Sequence, residues 1–215
     1  MLLSFRNLLA GLALCCLAAP LHAQHDKHNP SHELHGSGRV VQEQKTLKPF
    51  HAVEIKQFPA TVIVEVGGTA STADIRIDDN LRPYLLLEEE DGKLTLSLRD
   101  PEGNPSWVSK ASVTVTLRTP TLTALGNSSN GDVTVNGLGG EAFALANGAN
   151  GNVTLRGKVN AVALVSTANG SIHAGELVAD KASVVSQANG SVRLNAKTVS
   201  LVKSGNGSVT NVGEK

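Results

Sequence analysis

Four histidines near the amino terminus have a spacing that suits metal binding. His25, His28, His32 and His35 are separated by three, four and three residues, which would place the imidazoles on one face of a helix. Imidazole is a ligand for Zn²⁺, Cu²⁺ and Ni²⁺. Pro30 interrupts the run, and polar His-rich tracts also bind metal loosely without any fold. The pattern predicts a candidate metal site, with a disordered polar tail as the alternative.

Trp107 is the one tryptophan of the chain and follows a loop rich in proline and glycine. A tryptophan in such a loop could stack on a sugar ring or anchor a partner. Tryptophan more often covers the open end of a small core. Trp107 is therefore a candidate binding residue with a structural alternative.

Two more candidate binding residues, His173 and Arg193, lie in the carboxyl-terminal half of the chain. They occupy equivalent positions in an array of short repeats, where a polysaccharide could lie along them. Polysaccharide-cleaving enzymes need clustered acids, or a base with a cation site. The nearby acids, Asp132, Glu176 and Asp180, do not share a repeat position. The pattern predicts binding without catalysis, and we expect no cofactor.

Residues 1–23 have the composition of a secretory signal peptide, with one basic residue, an apolar core and Ala23 before the cleavage point. Removal would take Cys15 and Cys16 away, which excludes thiol catalysis and disulfides. It would also leave 18 Lys and Arg against 19 Asp and Glu, a net charge of −1, which disfavours electrostatic binding of nucleic acid. The apolar core is too short to span a bilayer, and we expect no transmembrane segment after signal removal.

Short runs of alternating apolar and polar residues follow a polar segment, residues 24–37, that we interpret as a disordered His-rich leader. Val62, Val64 and Val66 are one such alternating set, with the period of a half-buried strand. Asp91-Gly92 separates two apolar runs and predicts a hairpin. Because no window has helical spacing with caps at both ends, the chain is predicted to be all-β.

Five of the Asn-Gly dipeptides in residues 121–215 recur at a nearly constant spacing. Their spacings are 20, 19, 20 and 17 residues, and apolar residues recur five before and three after each Asn. A fixed period with aligned apolar columns indicates a stacked array. We predict that these dipeptides are structural turns: Asn130-Gly131, Asn150-Gly151, Asn169-Gly170, Asn189-Gly190 and Asn206-Gly207. The residues four positions after each Asn form another column: Thr134, Thr154, His173, Arg193 and Thr210.

A meander of hairpins and a solenoid could both produce this repeat. A two-residue turn at 130–131 would place Leu125 opposite Asn136 and Val133 opposite Ser128, so the apolar sets would face opposite sides. A solenoid stacks each apolar column on itself and places Asn-Gly at corners, where we expect positive φ at glycine. We therefore predict a right-handed parallel β-helix of about 19–20-residue coils.

The distribution of charge divides the chain near residue 120. Residues 36–120 contain 22 charged residues in 85, whereas residues 121–215 contain 12 in 95. A solenoid end exposes unpaired strand edges and needs a cap. We predict a β-rich capping region at residues 38–120 and the repeat β-solenoid at residues 121–215.

Several short motifs accompany the Asn-Gly-x-Val repeats. Together they resemble the bacterial putative auto-transporter adhesins with a head GIN domain, from Gly36 to the end of the chain. That family typically reads Gly-Ser-Gly-Asp where this chain reads Ala-Asn-Gly-Ser. The resemblance implies an exported β-helical protein of a Gram-negative bacterium and carries over no catalytic residue. The motifs are Gly36-Ser37-Gly38, Phe50-His51-Ala52-Val53-Glu54-Ile55, Asp79-Asn80-Leu81, Asp91-Gly92-Lys93-Leu94 and Pro120-Thr121-Leu122.

The expected function is that of an exported, non-enzymatic β-solenoid that serves as a binding or adhesion module of the cell envelope, in the periplasm or at the cell surface. Envelope or extracellular polysaccharide, or another surface protein, is the expected partner, and nucleic acid is not. One alternative is a carbohydrate-active β-helix enzyme that uses His173 and Arg193. The other is an envelope metal-binding protein that uses the His-rich leader.

Overall fold

A computed structural model describes residues 33–98, 107–109 and 111–213. Among these residues the regular secondary structure is β-strand, apart from one short 3-10 turn at Arg82–Tyr84. The strands are β1 (Glu33–His35), β2 (Val40–Thr46), β3 (Ala52–Lys56), β4 (Thr61–Val66), β5 (Thr72–Asp78), β6 (Leu85–Glu90), β7 (Lys93–Leu98), β8 (Trp107–Ser109), β9 (Val113–Thr119), β10 (Ala124–Ser128), β11 (Val133–Leu138), β12 (Ala142–Asn147), β13 (Val153–Ser166), β14 (Ile172–Ser186), β15 (Val192–Lys203) and β16 (Val209–Asn211).

The apolar columns aligned by the Asn-Gly spacing are neighbours in the sheet. Strands β10, β12, β13, β14 and β15 pair in parallel. The pairing brings together, in order, Leu125, Leu145, Leu164, Val184 and Leu201. A second parallel set joins β11, β13, β14, β15 and β16 through Val133, Val153, Ile172, Val192 and Val209. Except for the last member of each set, these side chains are buried and form one continuous apolar core.

The all-β prediction is confirmed, but the sheet is curled and mixed rather than uniformly parallel. Strands β3 and β4 join the array in parallel, next to β10 and β11. Antiparallel pairing appears at the amino-terminal end, where β2 and β9 flank β5 and where β6 pairs with β7. The core lies inside the curl, and strands such as β3, β4 and β9 bury alternate residues in it.

The predicted hairpin at Asp91-Gly92 is confirmed. Strands β6 and β7 pair antiparallel, with Glu90 opposite Lys93. Both turn residues have positive φ, 48° at Asp91 and 73° at Gly92. That combination is the one a two-residue type I′ turn requires.

The predicted positive φ at the Asn-Gly glycines is wrong, since none of the five has one. These glycines are instead required by close contact between one level of the array and the next. A Cβ on Gly170 would lie 2.2 Å from the carbonyl oxygen of Gly151, and a Cβ on Gly151 would lie 2.0 Å from that of Gly131. Such distances are far below van der Waals contact. Gly131, Gly190 and Gly207 are equally constrained by the backbone of the preceding level.

A buried polar column runs beside the apolar core. The Nδ2 of Asn127 donates a 2.9 Å hydrogen bond to Oδ1 of Asn147, one level along the array. Asn147 in turn donates to the carbonyl oxygen of Gly151 at 3.1 Å. Ser166 and Ser186 continue the column in register, and all four side chains are buried. Asn127 and Asn147 therefore link adjacent levels inside the protein, whereas the buried hydroxyls of Ser166 and Ser186 have no hydrogen-bond partner among the described residues.

Candidate binding surface

An outward-facing column of polar side chains crosses five strands. Thr134, Thr154, His173, Arg193 and Thr210 are successive register partners. They point outward because the residues on either side of them along each strand face the core. Their side chains range from half-buried to exposed. Since neighbouring strands lie about 4.8 Å apart, the column extends over roughly 19 Å.

His173 and Arg193 are direct neighbours on β14 and β15, and both are exposed. The arginine side chain lies across Gly175, where a Cβ would stand 3.1 Å from the Arg193 Nε. Glycine at 175 thus leaves room for the guanidinium to lie flat on the sheet. Arg193 supplies a positive charge to the column, and the structure brings it beside His173 as the spacing predicts.

A second polar column was not singled out by the sequence analysis and lies two residues before the first along each strand. The Asn152 backbone N–H donates to Oδ1 of Asp132 at 2.9 Å, and the Ser171 N–H donates to Oδ1 of Asn152 at 3.0 Å. The Ser191 N–H donates to Ser171 Oγ, and the Ser208 hydroxyl donates to Ser191 Oγ. The sequence signal was available, because each of these polar residues follows an Asn-Gly dipeptide directly.

The acids near this surface are engaged by other residues. Arg156 Nε donates to Oε2 of Glu176 at 3.0 Å, and Asp132 accepts the hydrogen bonds from Asn152. Asp180 accepts from Lys197 at 2.7 Å, and this hydrogen bond lowers the pKa of the Asp180 carboxyl, with further lowering by the charge of Lys197. An acid with a lowered pKa is poorly suited to donating a proton near neutral pH.

The remaining predicted site residues are only partly described. His25, His28 and His32 lie outside the described residues, so the histidine metal site stays a prediction. His35 is exposed, and its carbonyl oxygen accepts a 2.7 Å hydrogen bond from Asn80 Nδ2. Trp107 belongs to β8, which pairs with β1. The structure does not describe the Trp107 side chain. Within residues 33–98, 107–109 and 111–213, no three His, Cys, Asp or Glu side chains come together as metal ligands would.

Comparison with known proteins places these features in context. Over the residues the structure describes, no helix has the length and apolarity needed to cross a membrane. No curated protein matches the sequence. A putative adhesin from Bacteroides fragilis is 20% identical with a TM-score of 0.60, covering 83% of this chain and 100% of its own, and shows a shared fold.

Two further solved structures are similar to the chain. One is a putative adhesin from Parabacteroides merdae, 15% identical with a TM-score of 0.49, covering 84% of this chain and 99% of its own. The other is a putative lipid binding protein from Parabacteroides distasonis, 15% identical with a TM-score of 0.47, covering 84% and 99%. Residues 49–214 match the family model of the putative auto-transporter adhesin, head GIN domain, and the chain belongs to that family.

Proposed function

We propose that this protein is an exported, non-enzymatic binding module of the bacterial cell envelope. Its outward polar columns would contact an envelope or extracellular polysaccharide, or the surface of another protein. Membership of an adhesin family supports export and binding, and the signal-like composition of residues 1–23 agrees with it. The protein would act in the periplasm or at the cell surface.

The observation that carries the proposal is the pairing of His173 with Arg193 on neighbouring strands. Both side chains are exposed, and neither forms an ion pair or hydrogen bond within the described part of the chain. The neighbouring Arg156, in contrast, is already bonded to Glu176 and Asn136. Donors with no internal partner on a flat, regular surface are suited to a polymer that offers repeated oxygen acceptors.

The regular spacing of the surface is part of the proposal. The parallel pairs among β10 to β16 are offset by 17 to 20 residues along the chain, and we infer that these offsets are successive coils of a right-handed parallel β-helix. Each coil would then present the same few polar positions at a constant spacing. Binding energy would be distributed over several weak contacts.

Binding without turnover is the expected mode of action. The surface offers His173 as a titratable group, but the acids around it are held by Arg156, Asn152 and Lys197. Cleavage of a glycosidic bond needs two carboxyl groups flanking that bond. Of the acids named above, Glu176 is bonded to Arg156 and Asp180 to Lys197.

A glycan array with envelope and extracellular polysaccharides tests the proposal, followed by titration of each captured polymer. His173→Ala and Arg193→Ala should each weaken binding by about 1 kcal/mol, or roughly fivefold. Arg76→Ala is the matched control, because Arg76 is also an exposed arginine on an outward position of a strand but lies on β5.

A reducing-end assay on the same polymers distinguishes binding from catalysis. We expect no new reducing ends and no unsaturated products. Cleavage that disappears in His173→Ala or Arg193→Ala would make the protein an enzyme. Binding that is equally strong in both variants and in the control would locate the ligand on another surface.

A further inference from the structure

Two of the sheet edges that no other described strand covers lie at the ends of one face of the array. On one face of the curled sheet the strands follow the order β6, β7, β3, β10, β12, β13, β14 and β15. β6 pairs with β7 alone. Residues 196–203 of β15 pair with β14 alone, because β16 covers just Val192–Leu194. An unpaired edge presents a row of backbone donors and acceptors that can accept another strand.

At the carboxyl-terminal end of the array, the β15 edge is covered at one end, near Ala196, and open at the other, near Leu201 and Val202. Asn211 covers the first side, since its side-chain amide accepts from the Ala196 N–H at 3.0 Å and donates to the Ala196 carbonyl at 2.8 Å. On the open side, Leu201 is 46% exposed and Val202 is 61% exposed.

An open depression of about 260 Å³ lies beside the preceding residues of β15 and is lined by Lys181, Ala182, Thr198, Val199 and Ser200. Apolar side chains at an unpaired edge, next to a recess, are the features of a strand-accepting site.

The two open edges carry opposite charge. At the amino-terminal end, β6 has half-buried Leu86 and Leu87, followed by exposed Glu88 and Glu90 and the exposed turn residue Asp91. At the other end, the apolar part of β15 is flanked by exposed Lys197 and Lys203. Each edge therefore combines a short apolar stretch with charges that the opposite edge would attract.

We propose that the β6 edge of one copy of this chain pairs with the open β15 edge of a second copy, so that molecules join head to tail. The pairing is antiparallel, because β6 runs opposite to β7 and β7 runs parallel to the remaining strands of this face. Core-facing residues must meet core-facing residues across the junction. This condition is met when Leu87 stands opposite Leu201.

The same register sets the other pairs of the junction. It places Leu86 opposite Val202 on the outer face, Glu89 opposite Val199, and Asp91 opposite Lys197, which also pairs with Asp180 at 2.7 Å. Lys203 comes opposite Leu85, but its Nζ already donates to the Gly205 carbonyl at 2.8 Å, which directs its charge away from the junction. The junction thus joins apolar side chains at one end of the strand pair and opposite charges at the other.

Charge also decides against symmetric pairing. Two β15 edges related by a two-fold axis, with Val199 opposite Leu201, would bring no opposite charges together. Two β6 edges would bring Glu88, Glu90 and Asp91 of both copies together. Like charges across a strand pair are destabilising, so the head-to-tail contact is favoured. Such a contact is open-ended and adds one molecule after another.

The test uses the mature chain and measures molar mass by light scattering over a range of concentrations. One variant, Glu88→Lys with Glu90→Lys, reverses the acidic edge. A second, Leu201→Lys with Val202→Lys, blocks the open β15 edge. The wild type should form a series of oligomers whose mass rises with concentration and falls with salt. Each variant should weaken association on the order of tenfold or more.

Mixing the two variants gives the decisive result. Each variant keeps one intact edge, so an equal mixture should form one-to-one complexes and nothing larger. Val40→Lys with Val41→Lys is the matched control, because these two residues are 45% and 39% exposed on β2, outside the junction. It should assemble like the wild type. Melting curves check that every variant folds.

Two outcomes would overturn the proposal. A wild-type chain that stays monomeric at every concentration would exclude a second copy as the occupant. A Glu88→Lys/Glu90→Lys variant that still forms dimers as strongly as the wild type would show that β15 edges pair with each other instead.

Discussion

The Ser37 hydroxyl donates a 2.6 Å hydrogen bond to Oδ1 of Asp79, across 42 positions of sequence. The contact joins two of the family motifs, Gly36-Ser37-Gly38 and Asp79-Asn80-Leu81. Arg39 Nη2 lies 2.7 Å from the other Asp79 oxygen, and the Ser37 N–H donates to Asn80 Oδ1 at 3.0 Å. The two motifs therefore act as a clamp that fixes the entry of the chain into β2.

The clamp should make the stability of the fold depend on pH in the acidic range. The hydrogen bond from Ser37 lowers the pKa of Asp79, and the charge of Arg39 lowers it further. A lowered pKa in the folded state means that the stabilisation is present above the ordinary aspartate value, near 3.9, and is lost as pH falls through the folded value. Asp79→Asn should lower the melting temperature at pH 7 and flatten its decline between about pH 4 and pH 2.

Thermal melts over this pH range measure the effect of Asp79→Asn. Asp91→Asn is the control, because Asp91 is exposed in a turn whose positive φ asparagine accepts. An Asp79→Asn curve that stays parallel to that of the wild type would contradict the role assigned to the Ser37–Asp79 bond.

Close stacking at the corners should make Gly170 sensitive to a single methyl group. In Gly170→Ala the new Cβ would lie 2.2 Å from the Gly151 carbonyl oxygen, and the levels would have to separate. We expect a loss of about 1–3 kcal/mol in the free energy of unfolding, measured in urea. Gly148→Ala is the control, since its Cβ would meet Thr167 Oγ1 at an ordinary 3.6 Å. Equal losses in both variants would refute the stacking explanation.

The sequence predicted the core of this protein better than its corners. Register partners such as Leu145 and Leu164 follow directly from a constant period, because each inward position must meet an equivalent position. The five Asn-Gly dipeptides lie between strands, but the reason predicted for their glycines was wrong. Asn-Gly suggests positive φ from local preference, whereas Gly151 and Gly170 are needed because two distant backbone segments touch. Single-sequence patterns do not contain that distance.

The candidate site was predictable in the same uneven way. The alignment of His173 with Arg193 followed from the period. The open β15 edge did not follow from the period, because it depends on where β16 stops covering β15. The antiparallel placement of β2 and β6 at the amino-terminal end also depends on contacts between distant segments, which alternation alone does not reveal.

One apolar column offers a direct comparison of buried and open positions. Leu164 is fully buried, whereas Leu201 occupies the same column at the open end and is 46% exposed. Leu164→Ala should cost about 2–5 kcal/mol of unfolding free energy, because it removes apolar contacts and leaves a cavity. Leu201→Ala should lower the free energy of unfolding by much less than Leu164→Ala, because the Leu201 side chain is half exposed to water. Urea unfolding of both variants at low protein concentration, where copies stay apart, tests the difference. Comparable losses would mean that the end of the array is as well packed as its centre.

The buried Asn127–Asn147 column should contribute more to stability than the asparagines at the surface. Asn147 accepts from Asn127 and donates to the Gly151 carbonyl, and it is 1% exposed. Asn147→Ala would leave the Asn127 amide and a buried carbonyl without these partners, at a cost of about 1–3 kcal/mol. Asn189→Ala is the matched control, because Asn189 also bonds to an asparagine one level away, Asn169 at 3.0 Å, but is exposed. Asn189→Ala should lower the free energy of unfolding by less than about 1 kcal/mol, because water replaces the lost hydrogen bond. Urea unfolding at pH 7 measures both, and a larger loss in Asn189→Ala would show that the corners are held from outside rather than by the buried column.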